Sequence, residues 1–294
     1  MRILILGANG QLGTACSQVL TGHELVQWTR ADLDLVQLPD IETTLAEADP
    51  ELIVNCAAYN LVDKAEQEPG RAYVVNALGP RRVAFFCQTH DIPFVHVSTD
   101  YVFGMEIDRS IPFSEEDKPG PLSAYGMSKL AGEYFVRNEC DRHFVIRTCG
   151  LFGPTRLEGK GNFVETMLEL AADQKALTVV NDQHCTPTYA FHLAEAIGKL
   201  IETENYGLYH ATNHGATTWY DFALEIFKRM QIEIEVKPIT SAQFARPAKR
   251  PGYSLLDCGK LTSVLGASLP DWQQGLQEYL DLRAQHAPVN GETI

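Results

Sequence analysis

The chain has 294 residues, 45% hydrophobic and 21% charged, enough for one large domain or two modest ones with a substantial core. Its 24 Lys and Arg against 38 Asp and Glu leave a formal charge of -14, which argues against nucleic acid or an anionic membrane surface as a partner. No run approaches the roughly 18 uncharged apolar residues that cross a bilayer. Cys16, Cys56, Cys87, Cys140, Cys149, Cys185 and Cys258 are scattered, with neither a C-x-x-C pair nor metal-ligand spacing, so they read as reduced thiols of a cytoplasmic protein without a metal centre.

Ile3-Leu4-Ile5-Leu6 is a continuous apolar run that meets a turn after four residues, as expected of a buried parallel strand and not of a signal peptide. Gly7, Gly10 and Gly13 follow in a G-x-x-G-x-x-G pattern that includes Gln11 and Leu12, and a helical pattern runs on through Cys16, Val19 and Leu20. Strand, glycine turn and helix is the context in which backbone N–H groups and a helix dipole hold a pyrophosphate. The competing reading is a tight turn with no ligand. Glu24 to Thr29 is the second strand, and Arg30 at its end suits the 2′-phosphate of NADPH. Asp32 lies close enough to keep NADH as the alternative. Asp34 and Leu35 fall where a carboxylate would meet an adenine amino group, or else Asp34 is a solvated loop aspartate.

A helix is expected from Pro39 to Ala48 and a third strand from Glu51 to Asn55. The small residues after it, Cys56-Ala57-Ala58 before Tyr59, let a flat cofactor lie against backbone. A helical stretch from about Val62 to Gln88 carries Asn76, and Ile92 to Val97 is the fourth strand. Ser98-Thr99-Asp100-Tyr101 at its edge either holds a carbonyl oxygen or caps and turns the chain. After an irregular loop from Gly104 to Leu122, Tyr125 and Lys129 lie four apart at the start of a helix. That spacing puts both on one face, about 5–6 Å apart at Cβ. A phenol ordinarily titrates near 10, and an ammonium beside it would lower that value. His143 to Thr148 is the fifth strand. Five strands alternating with helices predict an α/β fold, a doubly wound parallel sheet of the Rossmann type.

Beyond Leu151 the alternation weakens. Asn162-Phe163-Val164 opens a helix to about Ala172, Leu177 to Val180 is a strand, Phe191 to Glu202 a helix, Gly207 to Ala211 a strand and Trp219 to Met230 a helix. Lys237, Arg246, Lys249 and Arg250 make a local cationic patch of the kind a phosphate ester requires, or else a solvated basic loop. His96, His184, His192 and His210 have no metal-site spacing and read as structural. Gln285 to Ile294 reads as a loose tail.

The glycine turn, Asn55-Cys56-Ala57-Ala58, Ser98-Thr99-Asp100 and Tyr125-x-x-x-Lys129 occur together in this order. With them the chain resembles the extended short-chain dehydrogenase/reductase family. Within it, Val62-Asp63-Lys64-Ala65-Glu66, Tyr125-Gly126-x-Ser128-Lys129-Leu130-x-Gly132-Glu133, Pro187-Thr188-Tyr189 and Arg250-Pro251-x-x-Ser254-x-Leu256-Asp257 are most similar to the dTDP-4-dehydrorhamnose reductases.

The resemblance implies a nucleotide-binding domain over 1–150, to which some later segments return, and a mainly substrate-binding domain over 151–294. It implies that Tyr125 protonates the C4 ketone oxygen of a nucleotide-linked 4-keto-6-deoxy sugar, and that Lys129 lowers the phenol's pKa and holds the nicotinamide ribose. Thr99 would bond the carbonyl, Asp100 would fix sugar hydroxyls, and Asn162 and Arg250 would contact substrate. Ala57, Ala58, Tyr59 and Asn76 would line the cofactor. A homodimer is compatible with it. Two rivals stand: an epimerase or dehydratase of the same family, for which the acidic pair is incomplete because Tyr101 follows Asp100, and a non-catalytic NADP-binding regulatory subunit, against which intact Tyr125, Lys129 and Thr99 count. Gly150 departs from the pattern, standing where many of these reductases carry a tryptophan.

Overall fold

The central sheet explains why the early strands are apolar without interruption. In the computed structural model, which describes residues 1–156 and 161–286, β1 (Arg2–Leu6), β2 (Glu24–Trp28), β3 (Leu52–Asn55), β4 (Phe94–Thr99) and β5 (His143–Thr148) join a sixth strand, Gly207–His210. The order is Gly207–His210, β5, β4, β3, β1, β2, and every pair is parallel. Helices cover both faces. Ile3, Ile5, Leu52 and Val54 pack on one side with Leu12, Cys16, Leu193 and Ile197, from the helices Gln11–Val19 and Ala190–Leu200. Leu4, Leu6 and Ile53 pack on the other with Ile41, Leu45, Val83 and Val136. Alternate side chains of one strand therefore enter two different cores.

From β1 the chain moves out to β2, then returns past β1 to β3. Neighbouring connections thus leave in opposite directions between β1 and β3, which opens a crevice at the strands' carboxyl ends. A third core lies beyond the sheet, where Phe152, Val164, Leu177, Phe222, Ile226 and Tyr279 gather from the helices Phe163–Asp173, Trp219–Arg229 and Trp272–His286 and the strands between them. The later segments Ala190–Leu200 and Gly207–His210 rejoin the sheet.

Three expectations need correction. The stretch from Val62 to Gln88 is not one helix but Val62–Ala65, Pro69–Tyr73, a π turn over Val74–Leu78 and Gly79–Thr89. Pro80 has no N–H to give the carbonyl of Asn76 four residues back, and the helix widens there. β4 runs two residues past Val97, because Ser98 and Thr99 pair with Arg147 and Thr148. Gln285 belongs to the last helix, and the rest of the expected tail beyond His286 lies outside the described residues. Among the described residues no helix is long and apolar enough to cross a membrane, and no group of three or more His, Cys, Asp or Glu could hold a metal ion.

Candidate active site

The carboxyl ends of β1, β2 and β3 surround a cavity of about 440 Å³, walled by Leu6, Gly7, Gly10, Arg30, Asp34, Leu35, Ala57, Ala58 and Tyr59 among others. Gly7 adopts φ +76, and a Cβ there would lie 2.8 Å from the backbone nitrogen of Ala57. Glycine alone satisfies both conditions. Gly13 packs on the same turn, since its Cβ would lie 2.3 Å from the carbonyl oxygen of Gly7. The helix that follows is capped by Gly10, which offers no side chain, so the first-turn N–H groups face the turn. Leu12 points into the core and Gln11 Oε1 is buried without a hydrogen-bond partner among the described residues.

At the rim, Arg30 Nε and Nη2 both donate to Asp34 Oδ2, at 2.9 and 2.8 Å. Arg30's side chain is 67% exposed, and such a surface pair is worth only about 0–1 kcal/mol, so an arriving phosphate can displace it. Asp32, the residue that favoured NADH, is turned away: its carboxylate accepts the backbone N–H and the hydroxyl of Thr29, and those bonds hold its pKa down.

Tyr125 and Lys129 stand on the helix Ala124–Glu139, whose cap Ser123 accepts the N–H of Gly126. The helix sits directly on backbone. A Cβ on Gly132 would come 2.1 Å from the carbonyl oxygen of Asn76. Consecutive residues of β4 then hook it: Lys129 Nζ donates to the carbonyl of Val97 at 2.6 Å, and Ser98 Oγ donates to Glu133. Glu133 is itself paired with fully buried Arg147.

Burial pushes Lys129 down to about 8, with Glu133 opposing the fall, and pushes Tyr125 up to about 12, with Thr99 opposing and Asp100 adding to the rise. Desolvation governs Tyr125, and Lys129 is not among the groups that set its proton affinity; one of the three ammonium donors goes to Val97. His96 beneath them is held neutral by burial, with Lys129 adding to the effect, and accepts from the Asn55 amide.

Thr99 caps and turns the chain, one of the two readings of its stretch. Its hydroxyl caps the turn Asp100–Val102 by accepting the N–H of Tyr101, and also meets Tyr125 and Asp100. Burial raises the pKa of Asp100 against Ser254, Cys149 and Thr99, and its Oδ2 has no hydrogen-bond partner of normal geometry among the described residues. Asn76 is fully buried: it donates to the Tyr59 carbonyl and to Ser128 Oγ, and accepts the Tyr59 N–H. It clamps the cavity wall to the Tyr125 helix.

A second cavity, of about 810 Å³, is lined by Tyr101, Phe163, Trp219, Arg246, Lys249 and Arg250, with others. Tyr101 packs edge-on against Tyr125, with ring centroids 5.8 Å apart. Arg250 donates to both oxygens of Asp63, at 3.1 and 3.0 Å, so it is a held cation and not a free one. Lys237 is paired with Glu235 on an outer strand and is absent from this lining. Asn162 caps the helix Phe163–Asp173 by accepting the Glu165 N–H, and donates to Gly153 and Tyr279.

Residues 1–284 match the family model described as the RmlD substrate binding domain. The chain belongs to this family. It is 37% identical to the dTDP-4-dehydrorhamnose reductase of Streptomyces griseus, over 94% of this chain and 92% of that one. It superposes on the crystal structure of a dTDP-4-dehydrorhamnose reductase from Clostridium acetobutylicum with a TM-score of 0.91 at 39% identity, covering 97% and 100% of the two chains. For the Bacillus anthracis dTDP-4-dehydrorhamnose reductase in complex with NADP the TM-score is 0.90, at 36% identity over 96% and 99%.

Several residues of this RmlD-family chain that line or brace the two cavities were not singled out by sequence reasoning. Asp63 lay inside a quoted motif, but its partnership with Arg250 spans 187 positions. Tyr101 and Trp219 line the second cavity without any local spacing that would single them out. The Val97 carbonyl that receives Lys129 is backbone, which composition cannot reveal.

Proposed function

We propose that this RmlD-family chain is an NADPH-dependent reductase of the C4 ketone of a nucleotide-linked 4-keto-6-deoxy sugar, converting dTDP-4-dehydro-L-rhamnose to dTDP-L-rhamnose. The observation that carries this reading is the setting of Tyr125. It adjoins Tyr101 of the aromatic, cation-bearing cavity, while Lys129 one turn on lies beside Cys56 of the glycine-turn cavity. The relatives named dTDP-4-dehydrorhamnose reductase, and the NADP in one of their structures, support the substrate and the cofactor.

The glycine turn fits a pyrophosphate because a side chain at Gly7 would fill it, and Arg30 can exchange Asp34 for a 2′-phosphate. Bound there, the reduced nicotinamide supplies the hydride. Thr99's hydroxyl would bond the ketone oxygen, and Tyr125 would give that oxygen its proton as the carbon is reduced. A phenol held protonated up to about 12 is a donor at neutral pH, which suits reduction. Lys129, held on the Val97 carbonyl with donors to spare, would hold the nicotinamide ribose, and water would return a proton to Tyr125. Arg250, with Arg246 and Lys249, would take the diphosphate.

Residues 1–150 with the returning segments would then serve the dinucleotide, and the third core would carry the sugar side. The seven free cysteines fit a reducing cytoplasm. The test is to mix protein, NADPH and dTDP-4-dehydro-L-rhamnose. The reading predicts keto-sugar-dependent loss of reduced-nicotinamide absorbance and a product heavier by two hydrogens. Isomerisation of the sugar with no net consumption of reduced nicotinamide would contradict it and favour an epimerase.

A further inference from the structure

At Gly150 the backbone is left-handed, with φ +53. A Cβ there would lie 3.1 Å from Cη2 of Trp219 and 3.2 Å from Cα of Pro187. Conformation and contact together disfavour a side chain, which would strain the backbone and press on the indole. Relaxation is resisted from both directions, because the Gly150 carbonyl accepts the Thr188 N–H and the next two residues, Leu151–Phe152, pair with Thr188–Tyr189. The space beside residue 150 is filled by an indole that arrives from 69 positions further along the chain.

That indole is held firmly. Trp219 opens its helix directly after Thr218, whose hydroxyl accepts the Asp221 N–H. Its ring lies 4.7 Å from that of Phe163 and 6.4 Å from that of Phe222, both centroid to centroid. It stays half-buried and lines the same cavity as Tyr101 and the cations Arg246, Lys249 and Arg250. Gly150 follows Thr148 by two residues, and Thr148 pairs with Thr99 across the sheet. Residue 150 thus lies just past the sheet's carboxyl edge, and the indole shares its cavity with Tyr101, whose ring packs on Tyr125. An apolar plate there matches the C–H face of a sugar ring, and the cations match a diphosphate.

We propose that Trp219 is the specificity-determining residue of the sugar subsite, packing its indole on the apolar face of the hexose whose C4 carries the ketone. The inference rests on the reading of the second cavity as the nucleotide-sugar site. Gly150 is then required as the vacant position that lets Trp219 reach the ring.

Calorimetric titration with dTDP-L-rhamnose, dTDP and NADPH tests it on the wild-type, Trp219→Ala, Trp219→Phe and Gly150→Ala proteins. Trp219→Ala should weaken dTDP-L-rhamnose about tenfold while leaving dTDP and NADPH within about twofold. Trp219→Phe should recover most of that loss. Gly150→Ala, whose methyl displaces the indole, should reproduce it with Trp219 intact. The unchanged NADPH titration reports that each variant is folded. Equal weakening of dTDP and dTDP-L-rhamnose would overturn the proposal by putting the indole on the base, and variants that bind dTDP-L-rhamnose like the wild type would overturn it alone. A wild-type protein that binds dTDP but not dTDP-L-rhamnose would overturn the substrate reading, and this inference with it.

Discussion

Tyr125 and Lys129 lie one helical turn apart in one dry setting, and burial drives their proton affinities in opposite directions. Desolvation disfavours whichever form is charged, so it lowers the ammonium to about 8 and raises the phenol to about 12. At neutral pH both hold protons. As pH rises through about 8 the ammonium is lost first, while the phenol keeps its proton. If the lysine charge supports the reaction, kcat/KM for the keto sugar should be level below about pH 7 and fall with single-proton slope above about pH 8. Lys129→Met should be slower by about 10²-fold and lack that fall. A wild-type profile that stays level to about pH 10 would contradict the role. The pair itself was legible from its spacing. Its electrostatics were not, because they depend on the Val97 carbonyl and on how much water the fold excludes.

Among the elements, the segment after β2 decides between dinucleotides. Asp32 spends its carboxylate on Thr29, while Arg30 is held only by an exposed pair with Asp34. Arg30→Ala should therefore weaken NADPH by about tenfold or more and leave NADH nearly unchanged, as read by fluorescence titration of each nucleotide. Equal effects on the two would remove Arg30 from 2′-phosphate recognition.

The elements also show where sequence reading succeeds. Apolar runs such as Leu52–Val54 and Phe144–Ile146 announce buried strands, and the β5 boundaries, His143 and Thr148, agree to the residue. Helix ends set by caps were close as well, at Asn162 and Trp219. What local patterns miss has a common cause. Asn76 and Asn162 each bridge separate parts of the fold: Tyr59 and Ser128 for one, Gly153 and Tyr279 for the other. Such partners lie up to 117 positions away, beyond the reach of any local pattern. The π turn at Asn76 needed Pro80 to be weighed against the carbonyl four residues earlier.

At the scale of the whole molecule, parallel pairing sends every strand's carboxyl end to one edge, so residues 7, 30, 57, 99 and 148 converge there although the chain separates them widely. Two cavities open on that region, one beside the glycine turn and one between aromatic rings and cations. Tyr125 and Lys129 link them. The central claim is that this phenol gives its proton to a ketone without helping to hold the dinucleotide. The direct test is Tyr125→Phe, compared with the wild type for turnover of dTDP-4-dehydro-L-rhamnose and for NADPH affinity. The account predicts that kcat falls by about 10²–10⁴-fold while the NADPH dissociation constant moves by less than about twofold. Turnover that survives the loss of the hydroxyl, or an equal loss of turnover and NADPH affinity, would contradict it.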